Sequence, residues 1–230
     1  MENRRTAIAF DRVRYCYGEV CAIQHATFEI KENTLTALIG PNGGGKSTII
    51  KLLAGVIKHE EGKVTTLPDT HIGYVSQAAA FDLTFPITVE QAVLSGTLDN
   101  RIRPFRTYSK AQKEKAEQAI LQAGLSGKQG RGIHQLSGGQ LERTMIARAL
   151  ASDAGIIVLD EPDSSLDVDA AAELYELLKA LKKDKTILVA SHRLDKIIAI
   201  ADAALFVNGT VALHHDMAGL AKKYEAGVLL

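Results

Sequence analysis

Short apolar runs alternate with helical patterns over the second half of the chain, and a similar run occurs near its start. Leu35–Ile39, Gly155–Leu159 and Thr186–Ala190 are apolar almost throughout, which predicts strands buried on both faces. Leucines recur on one face of residues 168–182, which predicts an amphipathic helix between the last two strands. This alternation of strands and helices predicts a parallel sheet covered by helices.

A different pattern flanks these buried strands. Residues 6–14 and 26–31 are predicted strands of an antiparallel flap, and two weaker strands are expected near 203–213. A tight turn is expected between the flap and the first buried strand. In that turn Asn33 is the residue best able to replace glycine at positive φ.

From about 80 to 154 the pattern becomes helical. Thr88 and Ser109 each begin a capping box, with a Gln three residues later and a helical run after it. We see no repeat or low-complexity linker, so we expect one α/β domain with an inserted helical block. Its expected parts are an α/β core with the flap in 1–80 and 155–215, a helical subdomain in 81–154 and a C-terminal tail in 216–230.

Composition narrows the class of function. The chain has 230 residues, of which 46% are hydrophobic, and Lys+Arg and Asp+Glu number 27 each. This charge balance argues against a nucleic-acid partner and against a polybasic membrane anchor. No apolar stretch approaches the ~18 residues of a membrane span, and the first residues lack a signal-peptide pattern. Cys16 and Cys21 have no metal or redox spacing, so we expect both to be reduced.

A phosphate-binding motif follows the first buried strand. It matches G-x-x-x-x-G-K-[ST] and lies between a strand and a helical run, as a P-loop requires. Its backbone N–H groups are expected to form a concave anion site at the positive end of the helix dipole. Lys46 is expected to reach the β- and γ-phosphates, and Ser47 to bind Mg²⁺. The predicted nucleotide-binding residues are Gly40, Pro41, Asn42, Gly43, Gly44, Gly45, Lys46, Ser47 and Thr48.

Two carboxylates follow the second buried strand. Asp160 is predicted at the carboxyl end of that strand, where open α/β sheets bind ligands, and is the candidate partner of Mg²⁺. Glu161 comes next and is the candidate general base for a water that attacks the γ-phosphate. Taken alone, the pair could be an ordinary acidic junction between a strand and a loop.

A second candidate anion site is the segment Leu136–Gln140, which reads Leu-Ser-Gly-Gly-Gln and precedes a helical pattern. Ser137 is predicted at the N-terminus of that helix, where the two glycines would expose backbone N–H groups. The alternative is a glycine-rich turn that only caps a helix.

The order of these motifs resembles that of the nucleotide-binding subunits of ATP-binding-cassette (ABC) transporters. Leu136–Gln140 is similar to their signature motif, and nearly the whole chain follows their order. The resemblance implies a P-loop NTPase (RecA-like) core with an antiparallel β flap and an inserted helical subdomain that carries the signature. It also implies that Tyr17 stacks on adenine, that Gln77 couples the site to the helical subdomain, that Asp167 belongs to the D-loop and that His192 contacts the γ-phosphate.

The resemblance further implies an active ATP hydrolase with a composite site. Two chains would stack head to tail, so that ATP and Mg²⁺ on the P-loop of one chain are covered by the signature segment of the other. The expected contributions are Ser137, Gly138, Gly139 and Gln140 to the partner's ATP, Glu161, His192 and Gln77 to catalysis, and Ser47, Gln77 and Asp160 to Mg²⁺. Four residues depart from those usual in the family's sequence motifs, namely Asn33, Glu142, Asp163 and Ser165. Nothing in the sequence explains Asp163.

The transported substrate is the least specific inference. Phe85–Val89 reads Phe-Pro-Ile-Thr-Val, which is similar to cassettes of bacterial zinc and manganese importers. That similarity implies metal uptake by a membrane permease docked near 78–95, an extracytoplasmic substrate-binding protein, and a location on the cytoplasmic face of the membrane. The simpler interpretation is that Pro86 and Thr88 merely begin a helix.

Three other functions stay open at this point. They are import of another substrate, a soluble cassette ATPase without transport, and a P-loop kinase or GTPase. The Leu136–Gln140 segment, and the occurrence of Glu161 directly after Asp160, argue against a kinase or GTPase. The sequence also leaves open the direction of transport and whether the dimer contains two identical chains.

Overall fold

The computed structural model describes residues 4–76, 84–98 and 107–225. Within these ranges the chain forms two β-sheets and seven α-helices. The strands are β1 (Thr6–Tyr17), β2 (Val20–Lys31), β3 (Leu35–Ile39), β4 (Glu61–Thr66), β5 (His71–Val75), β6 (Ala154–Asp160), β7 (Thr186–Ala190), β8 (Ala203–Asn208) and β9 (Thr210–His214). The helices are α1 (Lys46–Leu53), α2 (Val89–Ser95), α3 (Lys110–Gln122), α4 (Gly138–Ala151), α5 (Val168–Leu181), α6 (Leu194–Ile200) and α7 (Met217–Glu225).

The larger sheet has six strands in the order β5-β6-β7-β3-β8-β9. Its strands pair in parallel except for β9, which is antiparallel to β8. Every residue of β3 and β7 is buried, so the predicted parallel sheet and its buried strands are confirmed. Because β6, β7 and β3 are parallel neighbours, the loops that follow them emerge at one edge of the sheet.

The smaller sheet is the predicted antiparallel flap, in the order β2-β1-β4. β1 and β2 extend beyond the predicted segments and form a long hairpin, and β4 was not predicted. Asn33 has a φ of 53° in the turn before β3, as its residue type predicts. The flap packs the hydrophobic side of its hairpin over α1 and the parallel sheet.

The expectation of two reduced cysteines is wrong in this structure. Cys16 and Cys21 form a disulfide, and they are cross-strand partners in the β1–β2 hairpin. Their Cα atoms are 3.8 Å apart, so the register of the hairpin brings the two sulfurs together. The spacing in the sequence carried no sign of this pairing because it depends on where the hairpin turns.

The helical block follows its capping signals. Thr88 and Ser109 each accept a backbone N–H and complete a reciprocal capping box, as predicted. α4 packs against both α2 and α3, and the buried side chains of this block join the same hydrophobic core as one face of the parallel sheet. The segment expected to be a tail contains α7, whose Leu220 is buried in the core, so part of that segment belongs to the fold. None of the helices in the described ranges is long and apolar enough to cross a bilayer.

Candidate active site

The loop after β3 forms a backbone cradle. Gly40 has a φ of 139°, and a Cβ atom at this position would lie 2.1 Å from the carbonyl oxygen of Val207. Only glycine therefore fits between the loop and β8. α1 begins at Lys46 with Gly45 as its N-cap, and the first N–H groups of a helix lack intrahelical partners. The cradle concentrates backbone donors and the helix dipole at one point, which fits a phosphate group.

Lys46 lies within this cradle. It is only 5% exposed, and its ammonium donates hydrogen bonds to the carbonyl oxygens of Gly40 at 2.9 Å and Pro41 at 3.0 Å. Burial lowers the pKa of Lys46, while the negative charges of Glu161 and Asp160 oppose that shift. A phosphate anion would stabilise the charged ammonium in the same way, so the position of Lys46 fits its predicted contact.

Two oxygen donors meet where α1 faces the end of β6. The Ser47 hydroxyl donates a hydrogen bond of 3.0 Å to Oδ1 of Asp160. Burial raises the pKa of Asp160, and the hydrogen bond from Ser47 counteracts this. Mg²⁺ prefers hydroxyl, carboxylate and phosphate oxygens, and a cation would favour the ionised carboxylate. The pair therefore fits the predicted Mg²⁺ site.

Glu161 and His192 also meet, although they come from different loops. Nε2 of His192 lies 2.7 Å from Oε1 of Glu161. Glu161 has a φ of 53°, a left-handed conformation that costs about 1–3 kcal/mol for a residue other than glycine. Its backbone N–H donates to the carbonyl oxygen of Ala190 at 3.0 Å, which ties the loop after β6 to the end of β7. The loop thus holds the carboxylate next to the histidine at the same edge as the cradle.

The Leu136–Gln140 segment forms the start of α4. Ser137 is the N-cap, and its Oγ accepts the N–H of Gln140 at 3.3 Å, which leaves its hydroxyl proton available to a ligand. A Cβ at Gly139 would lie 2.8 Å from Cβ of Ala170, so this glycine lets α4 pack closely on α5. Among the described residues, no hydrogen bond joins this segment to the cradle.

Among the described residues, no contact places Tyr17 or Asp167 at the cradle. Tyr17 is 50% exposed near the tip of the flap hairpin, and that hairpin approaches the cradle through Ala22, close to Gly45. Asp167 caps α5 by accepting the N–H of Ala170 at 2.8 Å. Gln77 lies outside the described residues. Their roles toward a nucleotide stay predictions.

Sequence reasoning noted Asp163 and Glu142 only as departures from the family pattern and missed that both are buried near the site. Asp163 is buried beneath the loop after β6 and bonds to Tyr175 and Ser191. Glu142 is buried on α4, and within the described part of the chain neither of its carboxyl oxygens has a hydrogen-bond partner. Burial raises the pKa of Glu142 to about 8, and the charge of Asp163 adds to the shift. The available signal was a third acidic residue directly after Asp160-Glu161-Pro162.

Comparisons with known proteins place this site in context. A family model described as ABC transporter matches residues 23–164. The chain is 40% identical over 205 residues to the manganese transport system ATP-binding protein MntB of Listeria monocytogenes, covering 86% of this chain and 85% of that one. It is 34% identical over 212 residues to the zinc uptake system ATP-binding protein ZurA of Listeria innocua, covering 87% and 82%.

A solved structure of another cassette has the same fold. The dimeric structure of MJ0796, a bacterial ABC transporter cassette, matches with a TM-score of 0.73 at 26% identity. The match covers 90% of this chain and 98% of that one. The described α/β core with its flap and helical block is therefore the fold of a known class of ATPase cassettes.

Proposed function

The chain belongs to the ABC transporter family, and we propose that it is the ATP-hydrolysing subunit of a transporter that takes up manganese or zinc. One observation carries the proposal. Lys46, Ser47, Asp160, Glu161 and His192 converge on one sheet edge, in a chain 40% identical to a manganese transport subunit. The convergence supports ATP hydrolysis, and the relatives support the class of substrate.

The residues at this edge divide the work of hydrolysis. The cradle N–H groups and Lys46 bind the phosphates of ATP, and Ser47, Asp160 and Gln77 would hold Mg²⁺. When bound, Mg²⁺ neutralises charge on the β- and γ-phosphates. Glu161 takes a proton from the attacking water, and His192 orients Glu161 and contacts the γ-phosphate. Tyr17 stacks on the adenine ring.

The working unit is a head-to-tail dimer in which the site is composite. Ser137, Gly138, Gly139 and Gln140 of one chain cover ATP bound on the cradle of the other, and Asp167 lies at the contact between chains. The N-cap position of Ser137 supports this role, because a helix N-terminus with an unused hydroxyl proton binds anions. The dimeric MJ0796 cassette supports the arrangement.

Mixing two inactive variants tests the composite site. Lys46→Ala removes the cradle lysine and Ser137→Arg blocks the signature segment, so each homodimer should be inactive with Mg-ATP. A mixed dimer has one intact site, built from the cradle of the Ser137→Arg chain and the signature of the Lys46→Ala chain. We expect the mixture to recover up to about a quarter of wild-type ATPase activity. A mixture as inactive as its components would contradict a site shared between chains.

Uptake of metal requires a permease, and we propose that it docks near 78–95 on the helical subdomain of 81–154. Phe85 is 60% exposed in the described part of this segment, which suits a contact with an apolar partner. The complex places the chain on the cytoplasmic face of the membrane, with an extracytoplasmic substrate-binding protein on the other side. No nucleic acid takes part.

The metal content of the producing cells tests this proposal. Cells that carry only the Glu161→Gln variant, grown with limiting manganese and zinc, should accumulate several-fold less of one of the two metals than wild-type cells. Elemental analysis by mass spectrometry would report both metals, with iron and magnesium as internal controls. Unchanged manganese and zinc would contradict metal uptake. If the chain were purified from these cells with no membrane protein bound to it, the soluble, non-transport cassette would be favoured instead.

A further inference from the structure

A buried hydrogen-bond network lies directly behind the Glu161–His192 pair. Asp163 is 2% exposed and Ser191 is 1% exposed. Oδ2 of Asp163 accepts a hydrogen bond from the Ser191 hydroxyl at 2.6 Å and another from the hydroxyl of Tyr175. One carboxylate oxygen therefore joins the loop after β6, helix α5 and the end of β7.

This network holds the backbone on both sides of His192. Ser191 immediately precedes His192, and its Oγ also accepts the backbone N–H of Arg193 at 3.0 Å. The guanidinium of Arg193 donates to the carbonyl oxygen of Leu166, which adds a second link between the two loops. Since Asp163 follows Glu161 by two residues, the network connects the loop of the base with the loop of the histidine.

A carboxylate suits this position better than a neutral side chain would. An ionised oxygen accepts two hydroxyl hydrogen bonds strongly, and such charge-assisted bonds are about twice as strong as neutral ones. Burial, and then the bond to Asp163, raise the pKa of Tyr175, so its hydroxyl stays protonated and remains a donor. A buried carboxylate is costly unless it is hydrogen-bonded, which both hydroxyls provide.

We propose that Asp163, through Ser191 and with Tyr175, is a positioning residue that holds His192 against Glu161 for ATP hydrolysis. The proposal rests on the catalytic roles proposed for Glu161 and His192. The hydrogen bonds of Lys46 and Ser47 involve none of the three network residues. Loss of the network should therefore lower kcat while the KM for ATP changes little.

The first experiment measures steady-state ATPase kinetics of the full-length chain. Ser191→Ala removes one donor to Asp163, and kcat should fall about 10-fold with KM within about twofold of wild type. Ser191→Thr keeps the hydroxyl and should recover most of the loss. Tyr175→Phe removes the other donor and should lower kcat in the same direction, which provides a second test if one variant folds poorly.

A matched control lies at the other end of the same strand. Thr186 is also buried, and its hydroxyl accepts the backbone N–H of Asn33 at 3.1 Å. Thr186→Val removes a comparable buried hydrogen bond far from His192. Thr186→Val should lower the melting temperature without changing kcat. If it lowered kcat as much as Ser191→Ala does, any damage to β7 would be enough to impair hydrolysis, and the proposal would be overturned.

A double variant separates positioning from general damage. In a His192→Ala background there is no imidazole to position, so Ser191→Ala should lower kcat no further. An unchanged kcat in Ser191→Ala, or a full 10-fold loss that persists without His192, would overturn the proposal. If His192→Ala itself kept wild-type kcat, the catalytic role of His192 would fail first, and the inference would fail with it.

Discussion

The cradle and the Leu136–Gln140 signature segment both lie at a helix N-terminus, yet they are built differently. At the cradle, side chains from α1, the end of β6 and the loops after β6 and β7 meet within the chain, as in the pairs Ser47–Asp160 and Glu161–His192. At the start of α4, the hydrogen bonds of Ser137 to other described residues stay within its own helix, and Gly139 packs on α5. One region is assembled from several elements, and the other is a single helix end that packs on its neighbour.

This contrast separates the region proposed for catalysis from the region proposed to make catalysis depend on a partner chain. A parallel sheet gathers its loops at one edge, so catalytic groups distant in sequence become neighbours without help from another molecule. The signature segment carries donors but neither a base nor a metal ligand. It can therefore stabilise an anion that is bound by another chain. In this way it can make ATP hydrolysis depend on the presence of a second chain.

The largest expected effect comes from removing the base at the cradle edge. Glu161→Gln should lower kcat by about 1000-fold, because the attacking water is no longer deprotonated. ATP binding should persist, so the variant should accumulate as an ATP-bound dimer, visible by gel filtration with Mg-ATP. Glu176→Gln, on the exposed side of α5, is the matched control. A Glu161→Gln chain that stays monomeric under these conditions would contradict the shared site.

The next effect separates binding from covering. Lys46→Ala should weaken ATP affinity by about 100-fold, because a charge-assisted contact to the phosphates is lost. Titration with a fluorescent ATP analogue would measure this, with the exposed Lys58→Ala as control. The variant should still complete the site of a wild-type partner, since its signature segment is intact. If it also abolished activity in mixed dimers, the two regions would not be independent.

The next effect is on the stability of the fold, and it concerns α4, the helix that begins with the signature segment. The pKa of Glu142 on α4 is raised from 4.5 to about 8, mainly by burial. Its neutral form is therefore favoured in the folded chain, and stability should fall as pH rises from about 5 through 8. In urea denaturation, Glu142→Gln should remove a loss on the order of 5 kcal/mol at pH 9 and change little at pH 5. As a control, Glu117→Gln, exposed on α3, should keep the pH dependence of the wild-type stability. If Glu142→Gln also kept the wild-type pH dependence, Glu142 would not be its cause.

The smallest effect concerns the hairpin beside the cradle. The Cys16–Cys21 disulfide closes a short loop between strands that are already paired, so its removal should cost only about 1 kcal/mol. Calorimetry with and without dithiothreitol would show a shift of a few degrees in melting temperature. Cys16→Ser/Cys21→Ser should match the reduced protein and should not respond to dithiothreitol. A reductant effect in that double variant would exclude the disulfide as the cause.

Local patterns predicted much of this fold. The buried runs at β3, β6 and β7 are correct, because a strand covered on both faces must be apolar throughout. The capping boxes at Thr88 and Ser109 are also correct, because a cap is satisfied by residues only three apart. The strands β4 and β5 and helix α7 were missed, since their residues are only partly apolar and their burial depends on distant partners.

Residue types and short spacings in the sequence predicted the groups that we propose to bind the nucleotide. The P-loop, Asp160, Glu161 and the Leu136–Gln140 segment can be read without coordinates, because their chemistry depends on residue type and short spacing. The three-dimensional fold was needed to show that Cys16 faces Cys21, that Glu142 is buried, and that Asp163 bonds to Ser191 beside His192. These features depend on which strands and loops become neighbours, and packing over the whole chain sets those distances.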